Sequence, residues 1–198
     1  MTMSDAPRFP THDSSTTVGV VADRLAELES RHGQVGTMLA TMAGSPSVLT
    51  GYLDLSRAMK RTKLPRTISE RISLAIQDHL GCDLCLQAHT NAARDVGVDE
   101  HEILLARYGT SSDAGIAPIV EFGQRVHRAP ASITQADIDG LRELGLRDRD
   151  VLDIVALVAL NVLTGTFNLV AGLEPEPSPT PLVAATPGPA IPPKETTP

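Results

Sequence analysis

Between residues 18 and 172 no stretch shows sustained two-residue alternation bounded by hairpin turns, and the apolar segments instead carry the start and stop signals of helices. Val21, Leu25 and Leu28 form one stripe of a helix over 18–32, with Gly33 behind it. A short helix over 35–42 ends at Gly44, and Pro46 opens a third that runs to 60. Thr67-Ile68-Ser69-Glu70 has the form of a capping box and starts a fourth, which stops at Gly81. The next runs over 82–96, with Gly97 as its C-terminal stop. Asp99 caps a short helix to 107, and 113–129 is helical with Pro118 tolerated in its first turns. Thr134 caps a helix ending at Gly145, and Asp148 opens a long apolar one to Ala171. The pattern predicts an all-α protein.

The 198 residues suffice for one domain with a substantial core. Aromatic residues make up only 3% and Trp is absent, so Ala, Val, Leu and Ile must fill that core, which suits closely packed helices. Nine of the fifteen prolines fall in the last 26 residues, which predicts an extended or disordered tail over 173–198. With a loose N-terminal arm over 1–17, the domain spans 18–172. The arm lacks the basic start and apolar run of a signal peptide, so the expected compartment is the cytoplasm. A net charge of −7, with no basic stripe, argues against nucleic-acid binding. The segment 151–171 approaches membrane-span length. It carries Asp153, Asn161, Thr164, Thr166 and Asn168, however, and reads as a buried helix of a soluble assembly.

The chain has two cysteines, Cys82 and Cys85, and His89 follows four residues after the second. On a helix these three fall on one face. In a reducing compartment a close cysteine pair is more often catalytic or metal-binding than structural. The thiolate is the reactive form, and a helix N-terminus and a nearby histidine both favour it. Helical i, i+3 cysteines can close a disulfide with little backbone movement. A thiolate that attacks a peroxide becomes a sulfenic acid, which a second thiol one turn away converts to a disulfide. These are the parts of a thiol peroxidase.

Zinc is the second reading. Cys82, Cys85 and His89 are credible ligands, but a structural site needs four, and no fourth partner or second cysteine pair accompanies them. The bland alternative is two small buried residues beside a satisfied histidine. Glu70, twelve residues before Cys82, reads on local pattern as the N3 residue of the Thr67 capping box.

The arrangement Glu70, eleven residues, Cys82-x-x-Cys85-x-x-x-His89 resembles the signature of the alkyl hydroperoxidase D proteins, within the carboxymuconolactone decarboxylase superfamily. Further likeness lies in Ser45-Pro46, the stretch from Arg66 to Glu70, Ala88-His89 and Gly97 with its acidic cap. Leu144-Gly145-Leu146 and the stretch from Asn161 to Asn168 complete it, over roughly residues 45 to 172. The resemblance implies one AhpD-like multi-helix domain in which Cys85 is the peroxidatic thiol and Cys82 the resolving one. Glu70 would act as base through His89 and a water. It also implies a small organic hydroperoxide as substrate, no cofactor or metal, and homo-oligomers such as trimers or hexamers. The reductant would be a lipoyl domain or a thioredoxin-like protein. Leu84 stands where the best-studied members carry a second histidine, which keeps a general disulfide reductase in view. A redox sensor would keep the thiols without turnover. Decarboxylation is the weaker alternative, since true decarboxylases of the superfamily generally lack the cysteine pair.

Overall fold

The computed structural model describes residues 8–175, and every regular element among them is helical. In chain order these are α1 (Val20–His32), α2 (Thr37–Met42), α3 (Pro46–Met59), α4 (Arg66–Leu80), α5 (Asp83–Asp95), α6 (Glu100–Arg107), α7 (Ala117–Arg128), α8 (Gln135–Glu143) and α9 (Asp148–Ala171). A 3-10 turn, Pro130–Ser132, links α7 to α8. Each helix expected from the sequence is present, and differences lie at the ends. The stretch 113–116 is a turn, because the Asp113 carboxylate accepts from the backbone N–H groups of Gly115 and Ile116 at 2.7 and 3.2 Å. That local bonding competes with helix and delays α7 to Ala117.

The start of α4 corrects the capping-box reading. Pro65 is the N-cap and no side chain caps this end, so Glu70 lies in the second turn rather than at N3. Its carboxylate is free to point elsewhere.

Helix α4 is the hub, with residues 70–77 all buried. On one side Ile72 and Ile76 join Ile119 and Phe122 of α7 and Ile154 and Val158 of α9. On another, Leu74 meets Leu86 and Ala93 of α5 and Ile103 and Ala106 of α6. Each fully buried side chain of this size contributes about 1.5–3 kcal/mol of apolar transfer. Helices α1 to α3 form a third cluster around Leu25, Met42 and Leu49, against which Phe167 of α9 packs.

A polar ladder fixes the register of α9 on α4. Gln77 Nε2 donates to Asn161 Oδ1 at 2.9 Å, and Asn161 Nδ2 donates to Ser73 Oγ at 3.0 Å. Gly165 allows the close crossing: a Cβ there would lie 2.5 Å from Gln77 Oε1 and 2.6 Å from Leu80 Cδ1. Helix α9 has the length and hydropathy of a membrane span, yet it lays Asp150, Asn161 and Asn168 inside the protein. Its exposed apolar residues include Leu152, Val155, Leu163 and Val170.

Of the N-terminal arm, residues 8–17 are described. Arg8 N–H donates to Ala171 O at 2.9 Å and His12 N–H to Ala40 O at 2.9 Å, which ties this stretch to the helices. Most of the expected proline-rich tail, from 176 onward, lies outside the described residues.

Candidate active site

Two helices meet in a tight corner at the cysteine pair. Helix α4 ends at Leu80, Gly81 turns the chain with φ of 72°, and Cys82 is the N-cap of α5. A positive φ favours glycine, so this corner is encoded locally. The Cys82 side chain takes the place of the usual N-cap hydroxyl, accepting the Cys85 backbone N–H at 3.4 Å. Its sulfur thus faces the positive end of α5. Both thiols are free and buried, Cys82 at 2% and Cys85 at 6% exposure.

The two sulfurs titrate as a pair and share a proton unequally. The Cys85 thiol donates to Cys82, and although burial opposes it, this bond together with the Cys85 N–H and Asn168 lowers the Cys82 thiol to about 7. The same bond pushes Cys85 well above its ordinary value, and burial and the Cys82 charge add to the rise. Negative charge in the reduced pair is therefore drawn to Cys82.

The sequence also named Glu70 and His89, and the fold places them together. His89, one turn beyond Cys85 on α5, holds its Nδ1 2.7 Å from Glu70 Oε2. The other carboxylate oxygen accepts from Arg66 Nε at 2.8 Å. Burial would raise the Glu70 carboxyl, but the bond to His89 and the charges of His89 and Arg66 outweigh it and hold it below its usual value. Glu70 is thus a buried carboxylate that orients an imidazole, an arrangement suited to moving protons.

Asn168 was not singled out by sequence reasoning. Its Nδ2 donates to Cys85 Sγ at 3.2 Å from α9. Only the fold brings it there, since 83 residues separate the two in sequence.

A cavity of about 540 Å³ opens beside the site, with Tyr52, Leu64, Glu70, His89 and Leu157 in its wall. Cys82 and Cys85 do not line it. Tyr52 lines the cavity, and burial raises its phenol against a lowering hydrogen bond with Ser56, with Cys85 adding a smaller rise.

For zinc the geometry is unfavourable. Among the described residues no three His, Cys, Asp or Glu side chains are grouped so as to hold a metal ion. His79 is occupied elsewhere, its Nδ1 lying 3.0 Å from His127 Nε2.

Residues 46–121 match the model of the carboxymuconolactone decarboxylase family. No curated protein matches the chain in sequence. Among solved structures, an alkylhydroperoxidase AhpD-core, peroxidase-related protein from Ralstonia eutropha JMP134 superposes with a TM-score of 0.75 at 22% identity, over 86% of this chain and 92% of that one. A peroxidase-related protein from Silicibacter sp. TM1040 gives a TM-score of 0.71 at 22% identity, over 87% and 95%. The debrominase Bmp8 gives 0.59 at 16% identity, over 75% and 82%. At these identities the likeness establishes the fold.

Proposed function

We propose that the chain, whose residues 46–121 match the carboxymuconolactone decarboxylase family and whose fold is AhpD-like, is a member of that superfamily and a thiol peroxidase acting on small organic hydroperoxides. The observation that carries this reading is the presence of two arrangements on the same pair of packed helices, α4 and α5. One is a hydrogen-bonded cysteine pair containing an acidified thiol, and the other is a carboxylate–imidazole pair.

The reaction begins with a thiolate attacking the distal oxygen of the hydroperoxide. The O–O bond breaks, two electrons pass from sulfur to the peroxide, and the alkoxide leaves as an alcohol after taking a proton. The Glu70–His89 pair supplies that proton by way of a water. The product on the protein is a sulfenic acid. The second thiol then attacks its sulfur, the S–S bond forms, and hydroxide leaves as water on protonation. An external dithiol, a lipoyl domain or a thioredoxin-like protein, returns two electrons and two protons.

In this proposal Cys85 is the peroxidatic thiol and Cys82 the resolving one. At rest the charge favours Cys82, so the proton that Cys85 donates must cross to Cys82 before Cys85 can attack. The Asn168 N–H on Cys85 Sγ and the position of His89 one turn away support that transfer. The cavity beside Glu70 and His89 is a natural place for the organic group. Its wall of Tyr52, Leu64 and Leu157 suits an apolar body better than a highly charged one. The reaction is suited to the cytoplasm, where thiol reductants keep the pair reduced.

The exposed residues Leu152, Val155, Leu163 and Val170 share one face of α9, and they support a homo-oligomer in which a second copy covers this face. A trimer, or a hexamer built on such dimers, fits the proposal.

The test is consumption of tert-butyl hydroperoxide by the full chain with dithiothreitol as reductant. Turnover that disappears in a Cys82→Ser, Cys85→Ser double variant supports the reading. Equal rates in the two proteins refute it.

A further inference from the structure

Asn168 is buried at 3% exposure, and its amide stands against the sulfur pair from α9, the helix that also walls the cavity with Leu157. Its Nδ2 donates to Cys85 Sγ at 3.2 Å, and it favours the thiolate form of both cysteines. The oxygen of the same amide, Oδ1, is buried and has no hydrogen-bond partner. A buried carbonyl oxygen left unpaired is costly, and such groups in a folded protein call for an explanation.

The surroundings make this amide distinctive. The titratable groups that act with the sulfurs are Asp83 on α5, which opposes a thiolate at Cys82, and Tyr52 on α3, while the His89–Glu70 pair begins one turn beyond Cys85 along α5. The donors that favour a charged sulfur are then the Cys85 backbone N–H and thiol at Cys82, and the Asn168 side chain.

We infer that Asn168 is a catalytic residue of the thiol pair, its N–H holding negative charge on the Cys85 sulfur and its Oδ1 accepting the O–H of the sulfenic acid formed there. The charge-holding half concerns the reduced thiols alone, whereas the sulfenic acid half rests on the peroxidase reading. When Cys85 takes an oxygen atom from a hydroperoxide, the sulfur loses its negative charge and gains an S–O–H group. The acceptor that this hydroxyl needs lies on the planar amide already touching the sulfur. Attack by Cys82 then expels the oxygen as water, and Oδ1 is again unpaired.

Two measurements on the full chain test this. The first is the pH profile of iodoacetamide labelling of the reduced pair, read by mass spectrometry in wild type, Asn168→Ala, Asn168→Asp and Asn168→Ser. The expected result is about a tenfold slower labelling at pH 7 for Asn168→Ala, with the profile displaced to higher pH. Asn168→Asp keeps the shape but places a carboxylate against the sulfur, so it labels more slowly still. Asn168→Ser retains a donor and recovers part of the wild-type profile. A purely structural role would leave the labelling profile in place, and an unchanged profile in both Asn168→Ala and Asn168→Asp overturns the inference. The second measurement is the lifetime of sulfenic acid in Cys82→Ser after a pulse of tert-butyl hydroperoxide, with and without Asn168→Ala. A shorter lifetime without the amide supports the role of Oδ1, and an equal lifetime removes it. If wild type consumes no peroxide while labelling still shifts, the peroxidase reading fails and the charge-holding role stands.

Discussion

Glu70 Oε2 and His89 Nδ1 stand 2.7 Å apart across the packing of α4 against α5, although nineteen residues separate them in the chain. The contact shows how a residue that reads locally as a helix cap becomes part of a site. Because α4 starts at Arg66, the Glu70 carboxylate lies past the end it was expected to cap and turns toward His89 instead.

Glu70→Gln separates the two roles. It preserves the shape of the side chain and removes its charge. If Glu70 and His89 move protons during turnover, the peroxidase rate falls by about 100-fold or more, with the melting temperature little changed. An unchanged rate would reduce Glu70 to a structural partner of Arg66 and His89.

The thiol pair sets a pH dependence whose sign follows from the Cys82 value. An ordinary thiol ionises near 9, and Cys82 is lowered to about 7. The reactive thiolate therefore accumulates as pH rises through about 7, and alkylation of the reduced pair reaches its plateau well before that of an ordinary cysteine. Only one thiolate forms in this range, because Cys85 is displaced upward. A labelling curve centred near 9 would contradict the hydrogen bond between the two thiols.

Gly165 lies where α9 crosses close against α4. Replacing it with Ala places a methyl group 2.5 Å from Gln77 Oε1 and 2.6 Å from Leu80 Cδ1, so the helices must part or the side chains shift. Overpacking of this kind costs about 1–3 kcal/mol, measurable by urea denaturation. The same movement withdraws Asn168 from Cys85, so thiol labelling at pH 7 slows as well. Loss of stability without any change in labelling would mean that the crossing does not set the sulfur environment.

The outer face of α9 carries the prediction about assembly. Leu152 is 68% exposed and Val170 55%, and both lie on one stripe with Val155 and Leu163. Leu152→Glu and Leu163→Glu together are expected to reduce the mass measured by light scattering toward that of one chain. A wild type that is already monomeric at high concentration would contradict the proposed interface.

How far the sequence could be read depended on how local each signal was. The bounds of α9, Asp148–Ala171, were legible because an acidic start, a long apolar run and a glycine all lie within it or beside it. The corner at Gly81 and the place of Cys82 at the start of α5 were legible for the same reason, although Cys82 is the N-cap and not the first helical residue. Glu70 was ambiguous because a capping box is a pattern four residues long, whereas the actual end of α4 is set by Pro65. The turn at 113–116 was missed, because an Asp that opens a helix and one that forms a side-chain turn look alike in sequence. Asn168 was the least visible, as its position depends on Gly165 and the Gln77–Asn161 ladder, which act between helices rather than along one.

The most direct measurement is trapping of sulfenic acid with dimedone after a single equivalent of tert-butyl hydroperoxide, compared between Cys82→Ser and Cys85→Ser. The account predicts that Cys82→Ser accumulates the adduct at Cys85 and that Cys85→Ser accumulates none. Label on Cys82 in the Cys85→Ser protein, with none on Cys85 in the Cys82→Ser protein, would reverse the two roles. The absence of label from both variants, with no disulfide formed in wild type, would contradict peroxide reduction by this site.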